Sequence, residues 1–367
     1  MNVAVLGGSQ GAFATAADLA LAGHHVRWWR RAESDLAAVR DGITLVGEGR
    51  QGRAKLDRVT TDLGEALDGA ELIVAPVPAT AHDDLGKRLG PWLNEGQIVL
   101  LTPGTFGSFA MARDLARTGG RLPFAFAETG TLPYLTRKTG PAEVKAPVRA
   151  TNLPTGVFPS ARTDEVLAKL APLFPVRRCV DALDAALTNV GAVIHPPLVL
   201  LNAGAIDSGT FDVHAQGTTA SVRRLIDAID EERLAARRGW GYPAPHYEMA
   251  TTYYDEARAA EGLYGAGARS KLLASGLWNE TLSLEHRYVT EDAALGLSLF
   301  ESAARTATAA TPAISGLLLV FGVLLGRELT GHGRALESLG LGDLALREIK
   351  TLLHDGWTSQ MWARVIR

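Results

Sequence analysis

Residues 2–29 narrow the fold more than any other stretch of the chain. Asn2-Val-Ala-Val-Leu6 is a short apolar strand pattern. Gly7-Gly-Ser9-Gln-Gly11-Ala12 follows at once, then an alanine-rich helical stretch from about Phe13 to Leu21, stopped by Gly23. His25-Val-Arg-Trp-Trp29 reads as a second strand. Strand, tight glycine loop, helix and strand, in that order, form the context a dinucleotide-binding fingerprint requires. The first glycine allows the turn. The middle of the loop lets backbone N–H groups approach a pyrophosphate at the helix start, where the dipole favours negative charge. Gly7, Gly8, Ser9, Gln10, Gly11 and Ala12 are therefore the candidate coenzyme loop. Against G-x-G-x-x-G, Ser9 stands at the second glycine and Ala12 at the third, and the Ser9 hydroxyl is expected to donate to phosphate. A ligand-free glycine turn in an α/β sheet is the alternative.

The end of the second strand bears on which dinucleotide binds. NAD sites usually carry an acid there for the ribose hydroxyls. Here the order is Trp29-Arg30-Arg31-Ala-Glu33. A guanidinium can give a 2′-phosphate two parallel hydrogen bonds, so NADPH is favoured over NADH, with Arg30 and Arg31 as its contacts. The other reading makes both arginines solvated and Glu33 a late ribose acid.

Strand patterns recur at 71–75, 97–101 and 123–127, with helices from about Thr80 and over 106–116 between them. Residues 144–151 and 176–180 look like further strands, with a helix over 162–173. Ligands in such sheets gather at the carboxyl ends of the strands. That selects Pro76, Thr102, Pro103 and Glu128 as coenzyme contacts, and Thr131 and Tyr134 as substrate contacts. From Asp181 the pattern turns helical, roughly over 183–204, 217–238, 246–258, 292–308, 312–328 and 343–354. The expected architecture is a doubly wound, mostly parallel α/β domain over residues 1–180, followed by an all-α substrate-binding and dimerisation domain over 181–367.

Composition excludes several classes. A net charge of −3 offers no footprint for nucleic acid. The single cysteine, Cys179, rules out an internal disulfide framework and a multi-cysteine zinc site, and reads as a small buried residue; no metal is expected. The N-terminus shows no basic region ahead of an apolar signal core. The run Ala313–Gly326 is short for a bilayer span and reads as a buried helix. A cytoplasmic protein with no membrane partner, forming a homodimer, is the expectation.

The helical half holds the candidate chemistry. Asn189-Val-Gly-Ala-Val-Ile-His195-Pro-Pro-Leu-Val-Leu-Leu-Asn202 places one histidine in an apolar helical run just after the coenzyme half ends. A buried imidazole is either a satisfied core residue or a working group. Asn202, seven positions on, is about two turns away and on the same face if the helix is continuous. His286-Arg-Tyr-Val-Thr-Glu-Asp292 is an ionisable cluster leading into another apolar helix. Asp292 is either a proton-transfer partner for the histidine or a helix-start residue behind a Thr290 cap, and Glu291 competes with it. Arg287 either clamps a substrate carboxylate or pairs with Glu285 or Glu291.

Gly7–Ala12, Pro103-Gly104, Glu128-Thr-Gly-Thr-Leu-Pro-Tyr134, Asn189…His195-Pro…Leu-Leu-Asn202 and Arg287-Tyr…Glu-Asp292…Gly296-Leu297 occur in this order. That order and spacing resemble the opine dehydrogenase family: octopine and nopaline dehydrogenases and N-carboxyethyl amino acid dehydrogenases. The resemblance runs from about residue 2 to residue 330. It implies a Rossmann domain followed by a helical domain of the 6-phosphogluconate dehydrogenase-like type. It also implies NAD(P)H-dependent condensation of a 2-oxo acid with an amine or amino acid, through an imine, to a secondary amine. By match of motif, His195 corresponds to the family's catalytic histidine and Asp292 to its partner aspartate. The small side chains of Ala293-Ala-Leu295 depart from the family's more elaborate run there and point to a less polar amine than arginine. Two other functions stand beside this one. A ketopantoate reductase-like enzyme would rely on a lysine near the start of the helical half, and residues 183–204 contain none. A non-catalytic coenzyme sensor would have little reason to keep both His195 and Asp292.

Overall fold

The computed structural model describes residues 1–209, 211–278 and 282–367. The chain divides into two compact units, Met1–Ala182 and Leu183–Arg367.

The strands of the first unit are β1 (Asn2–Leu6), β2 (His25–Trp29), β3 (Ile43–Gly47), β4 (Gly52–Ala54), β5 (Arg58–Thr60), β6 (Leu72–Ala75), β7 (Ile98–Leu101), β8 (Ala125–Thr129), β9 (Tyr134–Gly140), β10 (Glu143–Arg149), β11 (Leu153–Phe158) and β12 (Val176–Arg178). Eight of them form one sheet in the order β12-β11-β8-β7-β6-β1-β2-β5. Every neighbouring pair is parallel except β11 with β8. Strands β6 and β7 are buried along their whole length, and both are unbroken apolar runs. Such runs mark strands covered on both faces, as parallel sheets are.

A second sheet, β4-β3-β10-β9, was not expected as a separate layer. Its β10 is the strand anticipated over 144–151, but β3, β4 and β9 carried little signal. Glycines with positive φ at Gly42, Gly47 and Gly52 interrupt the alternation around β3 and β4. The outer half of β9 is Arg-Lys-Thr-Gly and partly exposed. The helix Gln10–Leu21 packs on this sheet as well as on β1 and β2. Within that interface Asp18 is fully buried, bonded to the Tyr134 hydroxyl at 2.8 Å and ion-paired with Arg50 and Arg149.

In the second unit the expected helix over 183–204 is three pieces: Ala182–Ala186, Gly191–Leu200 and Ala203–Asp207. The first break lies at Asn189, whose side-chain oxygen accepts the Gly191 N–H at 2.9 Å. Pro196 and Pro197 sit inside the second piece. The apolar stretch Ala182–Leu200, with mean hydropathy 1.3, meets the length and composition of a membrane span, yet 78% of its most apolar window is buried inside the fold. The long helix Ala220–Gly239 pins this region. Its Arg233 donates to the carbonyls of Leu187, His246 and Tyr247 and pairs with Asp230 at 2.7 Å, and its Arg237 pairs with Asp184 at 2.8 Å. The helix expected over 246–258 reduces to Met249–Thr252 and a 3-10 turn over Glu256–Glu261.

The helix expected to begin near 292 starts earlier. Tyr288–Leu297 is π-helical and runs on into the α-helix Ser298–Thr306. Asp292 is thus inside the helix, and Thr290 does not cap it; its hydroxyl donates to the His286 carbonyl at 3.3 Å. The run around Ala313–Gly326 also departs from its buried reading. The helix Pro312–Leu325 buries Ile314, Leu317, Leu318 and Phe321, while Leu319 and Val323 are 68% and 82% exposed.

Candidate active site

The glycine loop joins β1 to the helix Gln10–Leu21, which starts three residues earlier than its composition announced. Ser9 is the reason. Its hydroxyl oxygen accepts the Ala12 N–H at 3.1 Å and its proton goes to the Pro76 carbonyl at 2.5 Å. The expected donation to phosphate is therefore replaced by a helix cap that also ties Pro76 to the loop. Gly7 has φ +98°, and a Cβ there would lie 2.8 Å from Val77. Gly11 faces the Pro76 ring, where a Cβ would sit at 3.4 Å. Gln10 accepts the Lys138 N–H at 2.7 Å. A left-handed turn, close backbone passages and an open first helical turn fit a pyrophosphate.

The two arginines after β2 part company. Arg30 is 6% exposed, and its guanidinium lies 4.8 Å from the Trp28 ring centre, 5.2 Å from that of Phe13, and 3.0 Å from the point a Gly8 Cβ would occupy. Arg31 points to solvent, with Asp84 at 3.7 Å.

The other positions drawn from strand ends are all buried in the first unit except Pro103, which is half-buried. Thr102 is buried and leads through Pro103 into a turn where Thr105 and Phe106 take φ of 49° and 60°. Glu128, fully buried, holds that turn. Its carboxylate accepts the N–H of Phe106 at 2.7 Å and of Ser108 at 2.9 Å, and the Ser108 hydroxyl, at the start of the helix Gly107–Arg117. The Thr131 carbonyl accepts the Thr129 hydroxyl at 2.7 Å. Tyr134, expected at the substrate, is 2% exposed with its hydroxyl on Asp18, and burial pushes that phenol well above its ordinary range.

In the second unit, His195 and Asp292 meet, although 97 residues separate them. The imidazole Nδ1 lies 2.7 Å from the carboxylate Oδ2. The helix Gly191–Leu200 carries the ring and the π-helical stretch carries the acid. The two helices approach closely because Gly296 stands where a Cβ would come within 2.5 Å of Ala192. Gly191 clears the same space from the other side: a Cβ there would lie 3.0 Å from Asp292 Oδ1 and 3.5 Å from His195 Nδ1. Of the two adjacent acids, Asp292 is the one that reaches the ring. Burial raises its carboxyl to about 6, while the charges of Arg287 and His286 pull the other way. A carboxylate on Nδ1 holds its proton there and leaves Nε2 to exchange protons.

Three neighbours were not singled out by sequence. Tyr288 is fully buried and stacks on the His195 ring, centroids 3.6 Å apart and planes 12° from parallel. Its hydroxyl is 3.0 Å from His214 Nε2. Gly191 completes the set. Tyr288 stood inside a quoted motif, but spacing alone could not show it stacked on a histidine. His214 lies in a polar stretch without periodicity and offered no signal. Asn202 falls past the end of the His195 helix, so the expected shared face is lost; its amide donates to the carbonyls of Leu198 and Gly217 at 2.8 and 3.2 Å. Arg287 immediately precedes the π-helical stretch, with its guanidinium 5.4 Å from the Tyr288 ring centre. Among the described residues no group of three or more His, Cys, Asp or Glu side chains is placed to hold a metal.

Comparison with known proteins agrees with this picture. The family model for the α-helical domain of NAD/NADP octopine/nopaline dehydrogenase matches residues 178–325. An opine dehydrogenase of Arthrobacter sp. (strain 1C) is 30% identical, with 95% of this chain and 97% of the relative covered. A solved octopine dehydrogenase with NADH and L-arginine superposes with a TM-score of 0.72 at 19% identity, covering 95% of this chain and 97% of that one. A yersinopine dehydrogenase with NADP+ bound gives 0.62 at 15% identity, covering 98% and 99%. These matches bear out the fold and enzyme class expected from the sequence. With a glycine cradle in one unit, a histidine–aspartate pair in the other, and a relative 30% identical across nearly the full length of both proteins, this chain belongs to the opine dehydrogenase family of NAD(P)-dependent oxidoreductases, built from a Rossmann domain and an α-helical domain.

Proposed function

We propose that this enzyme condenses a 2-oxo acid with the amino group of an amine or amino acid, that His195 and Asp292 move the protons, and that NADPH is its preferred coenzyme. The observation that carries the reading is the buried 2.7 Å bond between the two side chains. Condensation forms a C–N bond and expels the carbonyl oxygen as water. His195 Nε2 takes the proton lost by the attacking nitrogen and returns it to the departing hydroxyl. Asp292 fixes the ring's tautomer and balances the transient imidazolium. Bound NAD(P)H would supply the hydride to the imine carbon, and His195 Nε2, reprotonated from solvent, supplies the proton that makes the nitrogen a secondary amine. Residues Gly7–Ala12 would hold the pyrophosphate and Arg30 the 2′-phosphate. Arg287, whose charge acts on Asp292, is our candidate for a substrate carboxylate.

The test follows coenzyme absorbance with a 2-oxo acid alone, with amines alone, and with both. Oxidation that needs both reactants, with a secondary amine found by mass spectrometry, is the expected result. Oxidation by the oxo acid alone would replace this reading with simple carbonyl reduction. A cytoplasmic location fits a chain whose single cysteine is buried. A homodimer would cover the exposed face around Leu319 and Val323, and sedimentation of a Val323→Glu variant would test it.

A further inference from the structure

We propose that Tyr288 is a positioning residue for the His195 imidazole and that His214 anchors Tyr288 in that role; the inference rests on the reading of His195 given above. The Asp292 carboxylate holds one edge of the imidazole, at Nδ1. A ring stacked on one face limits its tilt, and Tyr288 supplies that ring, 3.6 Å away and 12° from parallel. Edge and face together fix where Nε2 points, and a proton-transfer group must be held within about 0.5 Å and 10–20° to work well.

The phenol is itself secured. Its hydroxyl meets His214 Nε2 at 3.0 Å, and the His286 ring stands edge-on to it at 4.4 Å and 86°. The backbone explains how one segment supplies both restraints. Tyr288 and Asp292 are four residues apart on the π-helical stretch, whose wider turn is closed by i→i+5 bonds. Such a turn leaves positions four apart nearly in line along the helix, so both side chains reach one partner. The face of a phenol also attracts positive charge, so the stack favours the imidazolium formed during turnover.

The experiment uses the full-length enzyme. Histidine labelled at Cε1 is incorporated, and the His195 resonance is identified by its loss in His195→Gln. The expected wild-type signal lies upfield of the other histidines because of the Tyr288 ring current. It stays there in Tyr288→Phe and moves to an ordinary position in Tyr288→Leu. In the condensation assay, Tyr288→Leu loses about 10²-fold in kcat with coenzyme KM unchanged, the scale of an ångström-sized misplacement. Tyr288→Phe, which keeps the face but loses the His214 bond, recovers only part of that loss, and His214→Leu loses as much as Tyr288→Phe; wild-type kcat in both would remove His214 from the proposal. An unshifted His195 resonance in the wild type overturns the proposal, even if Tyr288→Leu fails to fold. So does wild-type kcat in Tyr288→Leu. Full activity in His195→Ala overturns the underlying reading instead, and the resonance position, independent of turnover, tells the two failures apart.

Discussion

The coenzyme loop and the His195 pair are built by opposite means. The loop is six consecutive residues, and what it offers a ligand is backbone: N–H groups at a capped helix start, reached through glycines that keep Cβ atoms out of the way. The pair consists of two side chains 97 residues apart, brought together by two helices that touch where Gly191 and Gly296 leave room. Both depend on glycine, but differently. In the loop glycine permits a backbone conformation; between the helices it permits an approach. A backbone site is therefore specified locally. A side-chain site is specified by the packing of a whole unit, here through the buried ion pairs of Arg233 and Arg237.

The sharpest break in that comparison is His195→Ala. Turnover should fall by about 10² to 10⁴-fold, the usual contribution of a positioned acid–base group, while NADPH binding followed by fluorescence stays as in the wild type. A parallel loss of coenzyme affinity would show that the two sites are not functionally separable. Asp292→Asn comes next, at about 10²-fold, because the ring remains but loses its orienting charge. Its pH–rate profile carries the diagnostic sign. With the carboxyl at about 6 in the wild type, activity should fall as pH drops through that region. The limb belongs to the coupled pair. Removing the carboxylate lowers the imidazole's proton affinity, so the limb should move to lower pH; an unmoved limb would place the titrating group elsewhere.

Paired glycine substitutions sharpen the contrast with smaller effects. Gly191→Ala puts a methyl 3.0 Å from Asp292 Oδ1 and should lower kcat about tenfold at saturating coenzyme. Gly7→Ala forces a residue with a Cβ to φ +98° beside Val77. That strain, about 1–2 kcal/mol, should appear as a roughly tenfold weaker coenzyme Kd with kcat preserved. Effects on the same kinetic parameter would erase the distinction.

The same contrast explains what could be read from the chain. The loop was legible because its residues are contiguous and its strand–turn–helix context is local; only the role of Ser9 was misjudged, since a hydroxyl that caps a helix and one that meets phosphate look alike in sequence. His195 and Asp292 were legible as types, and the family resemblance joined them. Their bond was expected from that pairing and is present; the π-helical stretch and the Tyr288 stack were not legible, because each depends on how two helices cross. Asn202 failed for a related reason: two turns along a helix means nothing once the helix ends at Leu200. The second sheet was missed because β4 is only Gly-Arg-Ala, β9 ends in Arg-Lys-Thr-Gly, and the one β-branched stretch, in β3, ends at Gly47. Tyr134 and Glu128 were placed near ligand because strand ends usually face it, whereas here both side chains bond within the first unit.

The last contrast concerns the coenzyme, and only a ratio can decide it. Arg30 packs against Trp28, Phe13 and the Gly8 position, so Arg30→Ala loosens the loop and weakens both coenzymes to some degree. A guanidinium bound to the 2′-phosphate adds a charge-assisted bond of about 1.5–3 kcal/mol that NADH cannot make. The NADPH-to-NADH ratio of kcat/KM should then drop roughly tenfold or more. Arg31 is solvent-facing and already near Asp84, so Arg31→Ala should move the ratio by less. The reverse order would transfer the phosphate contact to Arg31. Equal losses for both coenzymes in both variants would leave Arg30 as loop packing alone and remove the grounds for an NADPH preference.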